Sequence, residues 1–207
     1  MKRKIGIMGG TFNPIHMGHL ALAEYVMDEL ELEEVWFIPT GCSYMKKGIQ
    51  IVSPMERYYM TRLAVKNNKR MRCLDIEIQR EGYTYSYETV EQLVAKYPDT
   101  SFYFVFGADC LFEIENWKNP ERIFANCTVV VSVRNGIPLN AMEEKKKELV
   151  QRFRANIVLL PFLNLEISST ELRKRIREDK SIRYLVPDEV ISYIREKGFY
   201  REDELQA

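Results

Sequence analysis

The segment that decides the fold is residues 9–19, which read Gly-Gly-Thr-Phe-Asn-Pro-Ile-His-Met-Gly-His. A short apolar run precedes it, and a helix-like pattern begins at Leu20. This order predicts a strand, a glycine-rich turn and the N-terminus of a helix. Main-chain N–H groups in such a turn, together with the positive end of the helix dipole, bind phosphate oxygens. The segment therefore predicts a phosphate site where the first strand ends, although glycine pairs also serve any tight strand-to-helix turn.

Both histidines of the chain, His16 and His19, lie in this segment. A single histidine is usually a structural residue, but two at a spacing of three beside a glycine turn favour a functional role. A metal-binding pair is the competing interpretation. No third histidine, cysteine or carboxylate falls nearby at a ligand spacing, so zinc is disfavoured and no metal ligand is assigned. The imidazoles are better explained as hydrogen-bond donors to phosphate.

A second informative segment, residues 167–173, reads Ile-Ser-Ser-Thr-Glu-Leu-Arg. Residues 9–19 resemble the N-terminal signature of the nucleotidyltransferases that carry a His-x-Gly-His motif, and residues 167–173 resemble their second signature. The two matches lie in the family's order near opposite ends of the chain. The Gly-Thr-Phe-Asn-Pro form of the first signature resembles the family members that act on nicotinate mononucleotide.

The resemblance implies adenylyl transfer, in which the phosphate of nicotinate mononucleotide attacks the α-phosphate of ATP and pyrophosphate leaves. The nucleophile is already an anion at neutral pH, so the enzyme must align two anions and stabilise charge on the transferring phosphorus. The residues that match the family's catalytic positions are His16, His19, Lys46 and Arg173. Those that match its ATP-binding positions are Gly9, Gly10, Thr11, Phe12, Gly18, Arg134, Ser168, Ser169 and Thr170.

The second signature has a plainer interpretation when it is taken alone. Ser169 is predicted to begin a helix that places Arg173 one turn away on the same face, with the helix N-terminus free to face phosphate. Without the first signature, the three hydroxyl residues would be helix caps and Arg173 a surface cation. The two signatures together favour the phosphate-binding interpretation.

The acceptor is expected in the centre of the chain, where residues 82–89 read Gly-Tyr-Thr-Tyr-Ser-Tyr-Glu-Thr. They resemble the family's Gly-x-Ser-Tyr-Thr-x-Asp-Thr stretch, and Trp117 matches a tryptophan that stacks on the pyridine ring. The resemblance implies that main-chain amides near Ser86 and Lys118 receive the nicotinate carboxylate. The mononucleotide-binding prediction comprises Thr84, Tyr85, Ser86, Gly107, Asp109, Trp117 and Lys118. The plain alternatives are a core position for Trp117, sheet-face positions for the tyrosines and a helix N-cap role for Asp109.

The chain departs from the family pattern at residues 43–46. Many members carry Pro-Pro-His-Lys there, whereas this chain has Ser-Tyr-Met-Lys. Lys46 keeps a cation that can neutralise phosphate, but Met45 replaces the histidine and the stiff prolines are gone. We therefore expect residues 40–50 to form a loop that closes on ligand.

Composition disfavours nucleic-acid-binding, membrane-spanning and secreted classes of protein. Lys+Arg and Asp+Glu each number 30 among 207 residues, and this zero net charge disfavours general nucleic-acid binding. No apolar run reaches the roughly 18 residues that cross a membrane. The four cysteines are scattered and the N-terminus resembles no signal peptide, so we expect a cytoplasmic protein with reduced thiols.

Mg²⁺ is expected to accompany ATP, held by phosphates and water. The oligomeric state stays open, with a homodimer as one option.

Hydrophobic patterning predicts an α/β fold. Strand-like runs occur at residues 4–8, 34–39, 71–78, 101–107, 128–133 and 156–160, and helical patterns at residues 18–30, 54–67, 87–96, 120–125, 141–153, 169–178 and 188–197. This alternation predicts a doubly wound, mostly parallel, Rossmann-like sheet with helices on both faces. We expect one domain over residues 1–207, in which residues 168–200 form a helical portion that completes the ATP site.

Two alternatives of different classes remain at this point. The first is a related enzyme that uses nicotinamide mononucleotide, phosphopantetheine, or glycerol phosphate with CTP as a second substrate. Trp117 and residues 84–86 argue against the last two acceptors. The second alternative is a module that binds nucleotide without turnover, and the presence of His16, His19 and Arg173 argues against it.

Overall fold

A computed structural model describes residues 2–42, 52–133, 137–162 and 165–201. Within these residues one sheet of parallel strands has the order β3-β2-β1-β4-β5-β6. The strands are β1 Arg3–Gly10, β2 Glu34–Pro39, β3 Met71–Cys73, β4 Thr100–Gly107, β5 Thr128–Val133 and β6 Ile157–Pro161. The predicted doubly wound α/β fold is confirmed, with every described pair of strands parallel.

Helices connect the strands and cover both faces of the sheet. They are α1 Met17–Glu29, α2 Pro54–Val65, α3 Ser86–Lys96, α4 Ala108–Glu113, α5 Pro120–Asn126, α6 Leu139–Phe153, α7 Ser169–Arg177 and α8 Asp188–Lys197. A 3-10 turn, Ile114–Asn116, follows α4. No helix of the described part of the chain is long and apolar enough to cross a bilayer.

Burial on both faces of the strands explains their continuous apolar sequence. On β2, Trp36 and Ile38 pack into a core with α3, α4, α5 and α6, while Val35 and Phe37 pack into a second core with α1, α2, α7 and α8. The strands thus lie between two helical layers. The helices from residues 169–197 share the second core with β1 and β2, which brings the C-terminal segment beside the first turn.

Two helix boundaries follow the local signals that predict them. Ser53 caps α2 by accepting a hydrogen bond from the Glu56 main-chain N–H at 3.3 Å, and Pro54 occupies the first turn. Gly198 ends α8 with a φ of 68°, the left-handed conformation that glycine adopts without strain.

Two parts of the predicted secondary structure are wrong. The strand predicted over residues 71–78 ends at Cys73, because the chain turns and the Gln79 N–H donates to the Asp75 carbonyl at 3.0 Å. The alternating apolar residues that suggested a longer strand, including Leu74 and Ile76, pack on the first core from this turn instead. Helix α4 was not predicted, since six residues are too few to show a helical period.

The sheet order fixes where a ligand can bind. The chain runs outward from β1 to β2 and β3, then returns to β4 on the other side of β1. In open α/β sheets ligands bind outside the carboxyl ends of the strands at such a reversal of strand order. The turn after β1 and the loop after β4 both open at this point.

Candidate active site

A cleft of about 470 Å³ opens at the carboxyl ends of β1 and β4. It is lined by Gly9, Gly10 and Thr11 at the end of β1, by Ile38 and Thr40 at the end of β2, by Thr84, Ser86, Thr89 and Val90 around the start of α3, and by Phe104, Phe106, Asp109 and Trp117 around β4 and α4. Glu77, Cys110 and Glu113 also line it. Residues predicted from separate parts of the sequence therefore meet in one cleft.

Glycine at position 10 lets the Phe12 ring pack directly against the backbone at the end of β1. A Cβ on Gly10 would lie 3.0 Å from the Phe12 ring, so any side chain there would have to displace that ring. Phe12 itself adopts a φ of 47° and is buried. The turn thus reverses the chain between β1 and α1 while its first three residues face the cleft.

The two histidines lie at the start of α1, next to this turn. His16 is the N-cap of α1 and is 4% exposed, and its ring stacks on the ring of His19 with the centroids 3.7 Å apart. The edge of the Phe12 ring packs against His19 at 5.0 Å. The His16 main-chain N–H donates to Nδ1 of His19 at 3.3 Å. Because Nδ1 accepts this hydrogen bond, the ring proton of a neutral His19 lies on Nε2, which is a donor.

The second signature packs directly against the first. The Ser169 hydroxyl donates to the Pro14 carbonyl at 2.9 Å, and Nη1 of Arg173 donates to the Asn13 carbonyl at 2.8 Å. Burial lowers the pKa of the Arg173 guanidinium. A Cβ on Gly18 would lie 3.1 Å from Nδ1 of His16 and 3.8 Å from Cβ of Ile167, so the segments are closely packed here. Sequence positions near the two ends of the chain thus form one cluster around the start of α1.

The hydroxyl residues of the second signature also have local roles. Ser168 caps α7 by accepting from the Glu171 N–H at 3.1 Å, and the Thr170 hydroxyl accepts from Nη2 of Arg173 at 3.3 Å. These contacts match the capping alternative and orient Arg173. ATP contacts for Ser168, Ser169 and Thr170 stay predictions.

The predicted acceptor residues fall into two groups. Thr84, Ser86, Asp109 and Trp117 line the cleft. Tyr85 is the N-cap of α3 and packs against the first core, Gly107 is the N-cap of α4, and Lys118 lies exposed in the turn before α5. The N-cap alternative for Asp109 is wrong, because Gly107 takes that position and Asp109 stands one residue inside α4.

Trp117 combines a core contact with a cleft position. Its ring packs against Phe106 and Phe104, with centroids 5.8 and 6.3 Å away. Since Trp117 also lines the cleft, the core contact and a stacking role are compatible. The aromatic neighbours hold the indole in a fixed orientation.

His16, His19 and Arg173 lie outside the cavity itself, around the start of α1. The turn at residues 9–12 connects them to it, because Thr11 lines the cavity and Phe12 contacts His19. The site therefore has two adjoining parts, which we call the acceptor cavity (the residues lining the cleft other than residues 9–11) and the phosphate cluster (His16, His19, Arg173 and residues 9–12).

Sequence reasoning missed two buried charged residues at this site. Glu77 is 7% exposed and lines the acceptor cavity, and Arg57 on α2 is 2% exposed. A signal for Arg57 was present, because helical spacing places it on the same face of α2 as the buried residues Met60 and Thr61. Lys46 and Arg134 lie outside the described residues. No group of three His, Cys, Asp or Glu residues in the described part of the chain could hold a metal.

Sequence comparison with known proteins places the chain in a family. The family model of cytidylyltransferase-like proteins matches residues 7–175. A protein of Lachnoclostridium phytofermentans named "Probable nicotinate-nucleotide adenylyltransferase" is 42% identical over 198 residues, covering 96% of this chain and 99% of its own length. A protein of Moorella thermoacetica with the same name is 40% identical over 199 residues, covering 96% and 92%.

A solved structure shows the same fold. It is the Plasmodium falciparum nicotinic acid mononucleotide adenylyltransferase complexed with NaAD, which superposes with a TM-score of 0.78 at 21% identity and covers 96% of this chain and 97% of its own. A second structure of that enzyme, complexed with APC, gives a TM-score of 0.77 at 20% identity.

Proposed function

The chain belongs to the cytidylyltransferase-like family and, within it, to the nicotinate-nucleotide adenylyltransferases, and from this we propose that it transfers AMP from ATP to nicotinate mononucleotide. The products are nicotinate adenine dinucleotide and pyrophosphate. The observation that supports the proposal most strongly is the two-part site, in which a phosphate cluster with two stacked histidines adjoins a cavity that contains Trp117.

The chemistry requires alignment and charge stabilisation. A phosphate oxygen of the mononucleotide forms a bond to the α-phosphorus of ATP, and the bond from that phosphorus to the bridging oxygen of pyrophosphate breaks. Since the nucleophile is an anion, no base is needed, and donors around the phosphorus lower the barrier. The Nε2–H of His19, the His16 ring, the main-chain amides of residues 9–12 and the Arg173 guanidinium are assigned this role, with Lys46 as an additional cation.

The remaining predicted residues divide between the two substrates. Gly9, Gly10 and Gly18 let the ATP phosphates approach the backbone, and Ser168, Ser169 and Thr170 hold α7 and Arg173 beside them, with Arg134 on the adenosine side. The indole of Trp117 is the stacking surface for the pyridine ring. Main-chain amides near Ser86 and Lys118 receive the nicotinate carboxylate, and Asp109 binds the ribose.

We propose that Mg²⁺ enters with ATP and is coordinated by phosphate oxygens and water. Mg²⁺ commonly keeps several waters and binds through substrate phosphates, which fits a site without a carboxylate cage among its described residues. When bound, the ion neutralises phosphate charge. We also propose a cytoplasmic location, which the scattered spacing of the four cysteines in the sequence supports.

A pyrophosphate-release assay tests the acceptor. The chain is supplied with ATP or CTP and, separately, with nicotinate mononucleotide, nicotinamide mononucleotide, phosphopantetheine or glycerol phosphate. We expect the highest kcat/KM with ATP and nicotinate mononucleotide. Efficient turnover of another pair, with none for this one, would contradict the assignment, and binding without any turnover would favour a nucleotide-binding module.

A further inference from the structure

Arg57 is a buried cation whose contacts reach three separate segments of the site. Its Nη1 donates to the Thr11 carbonyl at 2.8 Å. Its Nη2 donates to the Thr40 carbonyl at 2.6 Å and to the Gly41 carbonyl at 3.1 Å. Nε donates to the Val52 carbonyl at 3.0 Å. A single guanidinium therefore joins the turn after β1, the segment after β2 and the start of α2.

These contacts are costly to assemble in the protein interior. Burying a charge is unfavourable unless it is well hydrogen-bonded, and here main-chain carbonyls supply the compensation. Burial lowers the pKa of Arg57 to about 10, and the nearby Tyr200 and Glu77 act in the opposite direction. An apolar residue would fill the same space but would leave these carbonyls without their donor, so the guanidinium acts through its hydrogen bonds and not through packing alone.

Glu77 holds the other side of the segment after β2. The Gly41 main-chain N–H hydrogen-bonds the Glu77 carboxylate, and the Thr89 hydroxyl donates to Glu77 Oε1 at 2.8 Å. The Thr84 N–H donates to the Cys42 carbonyl at 3.0 Å. A Cβ on Gly41 would lie 2.3 Å from the Glu77 carbonyl oxygen, so the two backbones are in close contact. Thr40 and Gly41 are thus held by Arg57 through their carbonyls, Gly41 by Glu77 through its N–H, and Cys42 by Thr84 through its carbonyl.

We propose that Arg57 and Glu77 are positioning residues that fix the phosphate cluster relative to the acceptor cavity. Arg57 donates a hydrogen bond to the carbonyl of Thr11, which belongs to the phosphate cluster, and another to the carbonyl of Gly41. The Gly41 N–H is in turn bound by the Glu77 carboxylate, which lines the acceptor cavity. Neither residue needs to touch the reacting atoms. This inference rests on the proposed function, because only a reaction between two bound molecules requires the two parts to keep a fixed separation.

Replacement of Arg57 should lower turnover while each substrate alone still binds. Each part of the site retains its own contacts when Arg57 is replaced, so each substrate alone should still bind. Alignment of the two should fail, and a misplacement of about 1 Å can lower a rate by about 10²-fold. Lysine offers a point charge that cannot reproduce the planar fork that reaches three segments, so it should restore only part of the rate.

The experiment compares R57Q, R57K and E77Q with R62Q, a control on the same helix. Arg62 is exposed and its guanidinium lies over the Tyr59 ring. Glutamine at position 77 offers one acceptor oxygen to the three donors Gly41, Thr84 and Thr89, so it should release at least one of them. Calorimetry measures binding of nicotinate mononucleotide alone and of α,β-methylene-ATP alone, and pyrophosphate release measures kcat under saturation, per mole of folded protein.

We expect kcat to fall about 10²-fold in R57Q and about tenfold in R57K and E77Q, with each separate affinity within about threefold of R62Q. A kcat for R57Q within threefold of R62Q would overturn the proposal. Separate affinities that fall in step with kcat would also overturn it, because Arg57 would then only support the fold. If wild-type turnover requires a different acceptor, the same ratios are measured with that acceptor, so failure of the assigned substrate leaves this test intact.

Discussion

The donor role assigned to His19 predicts different outcomes for three substitutions. The proposed role gives His19 two separable contributions, because Nδ1 accepts the His16 N–H at 3.3 Å and Nε2–H is proposed to donate to phosphate. Asparagine places an oxygen near the Nδ1 position and has no group at the Nε2 position. Glutamine extends an amide N–H to the Nε2 position. Alanine removes both.

The expected magnitudes follow from these contacts. Loss of one transition-state donor costs about 2.7–4 kcal/mol, so kcat should fall about 10²–10³-fold in both His19→Asn and His19→Ala. Loss of the acceptor for the His16 N–H resembles loss of a helix cap, about 1 kcal/mol, so the alanine and glutamine variants should melt lower by about 2–4 °C and the asparagine variant should not. His19→Gln should retain at least about tenfold more turnover than His19→Asn.

Steady-state pyrophosphate release and thermal denaturation measure these effects on the same samples. The reasoning is refuted if His19→Asn turns over within threefold of the wild type, because Nε2 would then contribute nothing. It is also refuted if glutamine and asparagine variants have equal rates, because the position of the donor would not matter. A melting point that falls equally in the asparagine and alanine variants would remove the capping role of Nδ1.

Three further predictions concern other parts of the site. Trp117→Ala should weaken nicotinate mononucleotide binding about tenfold or more, as expected for loss of a stacking surface, with ATP binding unchanged in calorimetry; equal affinity would make Trp117 a core residue only. Tyr200→Phe removes the hydrogen bond from the tyrosine hydroxyl to Asn13 Oδ1 at 2.8 Å and should lower the free energy of unfolding in urea by about 1 kcal/mol, whereas Tyr184→Phe, at an 81% exposed position, should change it little. Burial raises the pKa of the Glu77 carboxyl above 4.5 in the folded state, so the folded state binds this proton more tightly than the unfolded chain does. The free energy of unfolding therefore falls as pH rises from the unfolded-state pKa to the higher folded-state pKa. The free energy of unfolding of Glu77→Gln minus that of the wild type should therefore rise from pH 4.5 to 7.5. A difference that stays constant or falls would contradict this.

The parts of the site that sequence reasoning found share a local cause. An apolar strand, a glycine pair and a helix start in consecutive sequence predict a tight connection that ends at a helix N-terminus, which is a local property of the segment. The residues 9–19 segment therefore predicts its own geometry, and His16 is indeed the N-cap of α1. Ser168 likewise predicts the start of α7, because a hydroxyl at an N-cap acts within one turn.

The parts that it missed depend on tertiary contacts. An arginine on a helix is usually exposed, and only the meeting of Thr11, Gly41 and Val52 buries Arg57. Glu77 stands in an alternating run that predicts a strand, and the turn that ends β3 at Cys73 instead brings its carboxylate to Gly41. Arg57 is bound by main-chain carbonyls, and Glu77 by the Gly41 N–H and the Thr89 hydroxyl, and nothing local in the sequence shows that these segments meet.

The same long-range contacts make the phosphate cluster sensitive to complete folding. Ser169 contacts Pro14 across 155 positions, Arg173 contacts Asn13 across 160, and Tyr200 contacts Asn13 across 187. Closing such long loops costs conformational entropy before the contacts form and stabilise the chain, so these pairings are expected to form slowly. The cluster cannot assemble on an N-terminal fragment, because Arg173 lies beyond β6. Catalytic competence should therefore appear in refolding only after α7 docks on the first turn, later than the packing of Trp36 on β2 against Phe102 on β4.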